Sequence, residues 1–165
     1  MKKINRLLLL LLTFFCINCA SVKFDDRVDG KFEAVDMNSV CFRTGIRDSG
    51  IQCLRVSATH SSREKAFALA KKFAVGAVLL RGVSGTQSAV KAPLLPQAEQ
   101  QKNTQYIENF FNSGEYLKYL DQAEIEPNEV YKIKGGYQVA INAKVAYERL
   151  NTRLLDDGKK QKPTF

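Results

Sequence analysis

The chain has 165 residues, with 25 basic and 17 acidic side chains for a formal charge of +8, 45% hydrophobic residues, four cysteines, one histidine and no tryptophan. That is enough chain for one domain with its own core, and the balance of apolar and charged residues excludes a disordered polymer. A lone histidine leaves no histidine-rich zinc cluster, and no segment repeats at a fixed period.

Residues 1–18 read as an export signal. Lys2, Lys3 and Arg6 precede an apolar run over 7–15 broken only by Thr13, and small or polar residues follow. The run is shorter than the roughly 18–20 apolar residues that a membrane-crossing helix needs. Phe15-Cys16-Ile17-Asn18-Cys19-Ala20-Ser21 resembles the lipobox of bacterial lipoproteins, with Cys16 and Asn18 where the family pattern prefers leucine and a small residue. The resemblance implies cleavage before Cys19, lipidation of its sulfur and an anchor in the cell envelope. Since no aspartate follows the cysteine, it favours the outer membrane over the inner. The competing cut before Ser21, which would free a secreted protein, puts Asn18 where the general signal peptidase wants a small residue. One acyl chain attaches a protein reversibly, whereas two or three hold it. Loss of the three basic leader residues leaves 22 basic against 17 acidic, or +5. Charge of that size, spread along the chain, reads first as a solvated surface; where an exported protein has an acidic neighbour, lipid head groups or cell-wall polymers are expected rather than nucleic acid.

Residues 19–30 form a tether. Asp25, Asp29, Gly30 and Asp36 have the outline of a calcium loop, but Arg27 occupies a ligand position and no glutamate closes the loop, so we expect no metal. Over 31–55, Phe32 and Ala34, then Val40 and Phe42, alternate as strands do; a turn-rich stretch over 44–50 follows, and Leu54, Val56 and Ala58 resume the alternation. With Val40, Phe42, Leu54 and Val56 facing the core, Cys41 and Cys53 share the other face. Export favours a disulfide between them, and two free thiols are the alternative. His60 follows at a strand end and reads as a turn residue.

The sequence SSREKAFALAKKFAVGAVLLRGVSG, residues 61–85, predicts the central helix. Ser61 and Glu64 make a capping box, Ala66, Phe67, Ala70, Phe73, Ala74, Ala77, Val78 and Leu80 recur at helical spacing, and Gly82 supplies the stop. Residues 83–105 break the pattern. Pro93, Leu94, Leu95 and Pro96 there form a stiff apolar segment that is the candidate partner loop. Residues 106–120 carry an amphipathic helical set divided by Ser113-Gly114. Pro127-Asn128 then marks a turn, and 130–134 and 137–147 form a hairpin about Gly135-Gly136, with Tyr137, Val139, Ile141, Ala143 and Val145 on one face. A short leucine-bearing helix ends at Gly158, and 158–165 is expected to be a basic disordered tail.

These elements predict a single α+β domain over 31–157: an antiparallel sheet of two hairpins packed against one long helix plus one or two shorter helices. The A-rich helix opening Ser62-Arg63-Glu64-Lys65-Ala66, the Gly-Tyr-x-Val-x-Ile-x-Ala-x-Val strand from Gly136 to Val145 and the leucine-rich end resemble the small α/β domain of FlgT-type and surface envelope lipoproteins. The resemblance implies a non-enzymatic structural or interaction module held at a membrane by lipid, with another envelope protein or a cell-wall polymer as partner and no cofactor. A small-ligand carrier, a cell-wall-binding lipoprotein and a secreted hydrolase are the alternatives; no spacing of nucleophile and base marks a catalytic residue.

Overall fold

The computed structural model describes residues 34–36, 50–83 and 92–161. It is an α+β domain in which four antiparallel strands lie in the order β1-β2-β4-β3, with the helices packed on the sheet.

Strand β1 (Ala34–Asp36) pairs antiparallel with β2 (Gln52–His60), Ala34 opposite Val56 and Asp36 opposite Leu54. The predicted alternation holds along β2: Leu54, Val56 and Ala58 are core residues. Cys53 points to the opposite face, is buried and is disulfide-bonded. Its expected partner Cys41 lies outside the described residues, as do Cys19, Val40 and Phe42.

The central helix α1 (Arg63–Gly76) begins one residue later than the capping box placed it. Ser62 is the N-cap, its hydroxyl accepting from the Lys65 N–H at 3.2 Å. Ser61 is withdrawn from that role because its own N–H donates to His60 Nδ1 at 2.8 Å. Ala66, Ala70, Phe73 and Ala74 face the core, and small side chains let the helix lie close on β2 and β4. The last turn widens to a π-turn over Ala77–Arg81, where Val78 and Leu79 are buried, and Gly82 ends it at φ 79°, a conformation that suits glycine.

The carbonyls left open at the end of a helix need donors. Here the Leu94 N–H donates to Val78 O at 3.1 Å and the Leu95 N–H to Leu79 O at 2.9 Å, while Gln100 Nε2 donates to both Leu80 O and Leu95 O at 2.7 Å. This corrects the partner-loop reading. Leu94 and Leu95 are 1% and 0% exposed within the protein's own core, Pro93 is half-buried, and only Pro96 is exposed. The stiff PLLP segment caps α1 and plugs the core beneath it.

Pro96 opens a helix that the sequence reading left as loop, α2 (Gln97–Lys102). Then come α3 (Thr104–Asn112) and a 3₁₀ turn (Glu115–Tyr119), divided at Ser113-Gly114 as expected, with Gly114 at φ 79°. Ile107, Phe110 and Phe111 of α3 enter the core.

Strand β3 (Leu120–Ile133) starts ten residues before the predicted strand, and Leu120 is its first residue rather than the end of a helix. Pro127 and Asn128 do not turn the chain. They sit in an irregularity between the pairs Ile125–Ile141 and Val130–Val139, where four β3 residues span one position of the partner and Asn128 takes φ 64°. Strand β4 (Gly136–Val145) pairs with both β2 and β3, and Val139, Ile141, Ala143 and Val145 complete the core face.

Helix α4 (Tyr147–Asp156) buries Leu150 and Leu154 and ends in a Schellman turn, with Gly158 N–H on Leu155 O at 3.1 Å and Lys159 N–H on Leu154 O at 2.8 Å. The tail is held further than expected. Asn103 Nδ2 donates to Lys159 O at 3.0 Å, Lys160 Nζ to Asn151 Oδ1 at 2.9 Å, and Gln161 N–H reaches Glu99 Oε1 at 3.4 Å.

Candidate contact surface at the hairpin end

Strand β2 runs to His60, α1 begins three residues later, and the register pairs His60 with Tyr137 and Ile133 with Gly136. The end of β2, the start of α1 and the β3–β4 turn therefore share one end of the domain. Gly136 fixes their contact: a Cβ there would stand 2.2 Å from His60 O and 2.8 Å from the His60 carbonyl carbon. Only glycine lets the two backbones meet this closely, and neither atom is the tip of a side chain that could move aside. Its neighbour Gly135 takes φ 89° to close the turn.

The side chains this end presents are of two kinds. Tyr131 is 49% exposed and Ile133 37% exposed; being two apart on one strand they share a face, and their register partners Gln138 and Gly136 place that face opposite α1. Lys132, one step out of phase with them, lies on the side of the strand that faces α1, Lys134 is in the β3–β4 turn, and Arg63 and Lys65 open α1; all four are exposed. None of the four has an ion-pair partner among the described residues, and the acid nearest them in sequence, Glu64, is exposed too. Exposed apolar side chains on one side of the hairpin, with cations at its turn and on its other side, make an end suited to an anionic, partly apolar partner.

Part of the rest of the face away from α1 is tied internally. Arg55 pairs with Glu129, and Asn142 Nδ2 donates to Glu126, so the acids brought in by the irregular part of β3 are tied to β2 and β4. His60 is likewise occupied, accepting the Ser61 N–H through Nδ1, with the Ser61 hydroxyl 3.0 Å from the same nitrogen. That geometry locks the turn from β2 into α1 and leaves Nδ1 already engaged.

At the other end of the sheet, charges are matched. Arg149 bridges Asp121 at 2.5 Å and the Lys118 carbonyl at 2.9 Å; Arg153 reaches Asp157 at 2.8 Å and Glu115 at 3.8 Å. The Tyr106 hydroxyl donates to Asp157 at 3.2 Å, and burial together with the Asp157 charge pushes this phenol up to about 12. A cleft of about 150 Å³ lined by Gln52, Val78, Gly82, Val83, Ala92 and Tyr147 opens at this end. Much of that space is open to solvent, and the cleft encloses no room for even a water-sized molecule.

Among the described residues no helix is long and apolar enough to cross a membrane, and no cluster of histidine, cysteine, aspartate and glutamate is placed to hold a metal ion. Sequence reasoning placed 130–134 in a strand without singling out Tyr131 or Ile133. The signal available was the Tyr-Lys-Ile-Lys run against the double glycine, but its meaning depends on which face α1 covers. Compared with known proteins, the chain matches no family model, no curated protein and no solved structure.

Proposed function

We propose that the chain is an envelope lipoprotein, lipidated at Cys19 and held at the outer membrane in preference to the inner, whose domain is a non-enzymatic interaction module. The observation that carries the reading is the hairpin end, where exposed Tyr131 and Ile133 share one end of the domain with four exposed cations that have no ion-pair partner among the described residues. Such a surface recognises a neighbour by charge and apolar contact. Support for the anchor comes from the basic and apolar leader ahead of Cys19 and from its likeness to a lipobox.

The test is the intact mass and detergent partitioning of the native protein beside a Cys19→Ala variant. Cleavage before Cys19 with added acyl mass, and partition into detergent that the variant loses, is the expected result. An unmodified, water-soluble product cut near Ser21 overturns the anchor and leaves a secreted domain.

A further inference from the structure

The direction of β1 relates the tether's side of the sequence to one end of the sheet. Ala34 pairs with Val56 and Asp36 with Leu54, so stepping back along β1 is stepping forward along β2, toward His60. Strand β1 therefore runs from the direction of the hairpin end, the end that carries Tyr131, Ile133 and four exposed cations. Cys19 lies 15 residues before Ala34, a span of at most about 50 Å at 3.3–3.6 Å per residue. A tether of that length keeps the domain within reach of the bilayer.

We propose that the hairpin end rests on the anionic head groups of the membrane that holds the anchor. Tyr131 and Ile133 sit at the interface, and Arg63, Lys65, Lys132 and Lys134 lie against lipid phosphate. Tyrosine suits that depth because its ring is apolar and its hydroxyl wet, and lysine and arginine reach outward on apolar stems to place charge at the head groups. The attraction is electrostatic and acts within about a Debye length, so it depends on anionic lipid and weakens with salt. This deepens the lipoprotein reading and rests on it: the tether keeps this end near the bilayer only if Cys19 carries lipid.

The chain contains no tryptophan, so Ile133→Trp and Leu117→Trp each install a single fluorescent reporter. Leu117 is 46% exposed and lies three residues ahead of Leu120, which pairs with Val145 at the far end of the ladder from the Ile133–Gly136 pair. The ladder between them spans about 30 Å at the usual rise per residue. Each acylated variant is reconstituted in phosphatidylcholine vesicles containing brominated-chain lipid, with and without phosphatidylglycerol. Thermal melting first checks that both fold as the parent does.

The expected result is quenching of the Ile133→Trp reporter that needs phosphatidylglycerol and fades with added salt, and none for Leu117→Trp. Adding Lys132→Glu and Lys134→Glu is expected to weaken the phosphatidylglycerol-dependent interaction by about tenfold or more at low ionic strength. Equal quenching at both positions, quenching of Leu117→Trp alone, or quenching indifferent to phosphatidylglycerol overturns the proposal. Retention on insoluble cell wall with no lipid quenching assigns the surface to a wall polymer and overturns it too. Intact mass separates this result from failure of the anchor. Should the mature protein carry no acyl chains, the unacylated variants are mixed with the same vesicles: phosphatidylglycerol-dependent quenching of Ile133→Trp keeps the surface assignment, and its absence removes it.

Discussion

The two ends of the sheet use charge in opposite ways. At the α4 end, Arg149, Arg153, Asp121, Glu115 and Asp157 are joined to one another and, through Tyr106, to α3. At the hairpin end, four exposed cations have no ion-pair partner among the described residues, and two apolar side chains are exposed beside them. A domain that fastens elements together at one end and leaves charge of one sign uncompensated at the other has divided structural work from contact work. The division can be tested by breaking each end.

The largest effect is expected where packing is densest. Phe110 is buried between Tyr106, Phe111 and Tyr119, with ring centroids at 6.1, 5.2 and 5.7 Å. Phe110→Ala should cost about 3–5 kcal/mol through lost burial and the cavity left behind, measured by urea unfolding. Next comes Gly136→Ala, at the one place where the hairpin end is itself tightly built. A Cβ 2.2 Å from His60 O forces the β3–β4 turn away from β2, and about 1–3 kcal/mol is expected, as for other overpacked sites. Faster amide exchange at Tyr137 and His60 than at Val145 would locate the damage at this end. An unchanged melting curve would mean that the two backbones are not pressed together.

Much of this architecture is legible from sequence because the local signals agree with the packing. The stripe from Ala66 to Val78, the glycine stop at Gly82, the Ser113-Gly114 break and the alternation from Val139 to Val145 each follow from one periodicity and one breaker. The exceptions share a cause, the tertiary use of a residue that locally says something else. Asp121, Glu124, Glu126 and Pro127 argue against a strand, yet β4 pairs with β3 on both sides of them and the irregularity absorbs the misfit. Leu94 and Leu95 sit between prolines like an exposed motif, but α1 ends with open carbonyls that need their N–H groups. Ser61 has the spacing of a cap and loses the role to Ser62 because His60 holds it. The contact surface was hidden for the same reason: whether Tyr131 faces solvent or core depends on where α1 lies.

The matched end should also be the one that responds to alkali. The folded state raises the Tyr106 phenol from 10.0 to about 12, so it holds that proton more tightly than the unfolded chain does. The stabilisation is fully present below about pH 10 and is lost as pH rises toward 12. Burial also pushes up Tyr116, Tyr119 and Tyr147, so the whole protein should lose stability over this range. Tyr106→Phe should cost about 0.5–1.5 kcal/mol at neutral pH for the lost hydrogen bond, and should flatten the alkaline decline relative to the parent. A decline of unchanged steepness in the variant would show that the Tyr106 phenol does not contribute to the alkaline loss of stability.

The smallest effects separate the two ends most directly. Arg149→Ala removes a bridge to Asp121 and to the Lys118 carbonyl, and should cost about 0.2–1 kcal/mol, less at high salt, as half-exposed pairs do. Lys132→Ala with Lys134→Ala removes two charges that bond to nothing described, so stability should stay within about 0.5 kcal/mol of the parent at any salt concentration. Thermal melting of both variants at low and high salt makes the comparison. If the lysine variant lost as much as the arginine one, the lysines would be holding the hairpin in place, and the reading of this end as a surface kept free for contact would fail. If it lost nothing, the positive charge there would have no structural use within the domain, and its use would have to lie in what the domain touches.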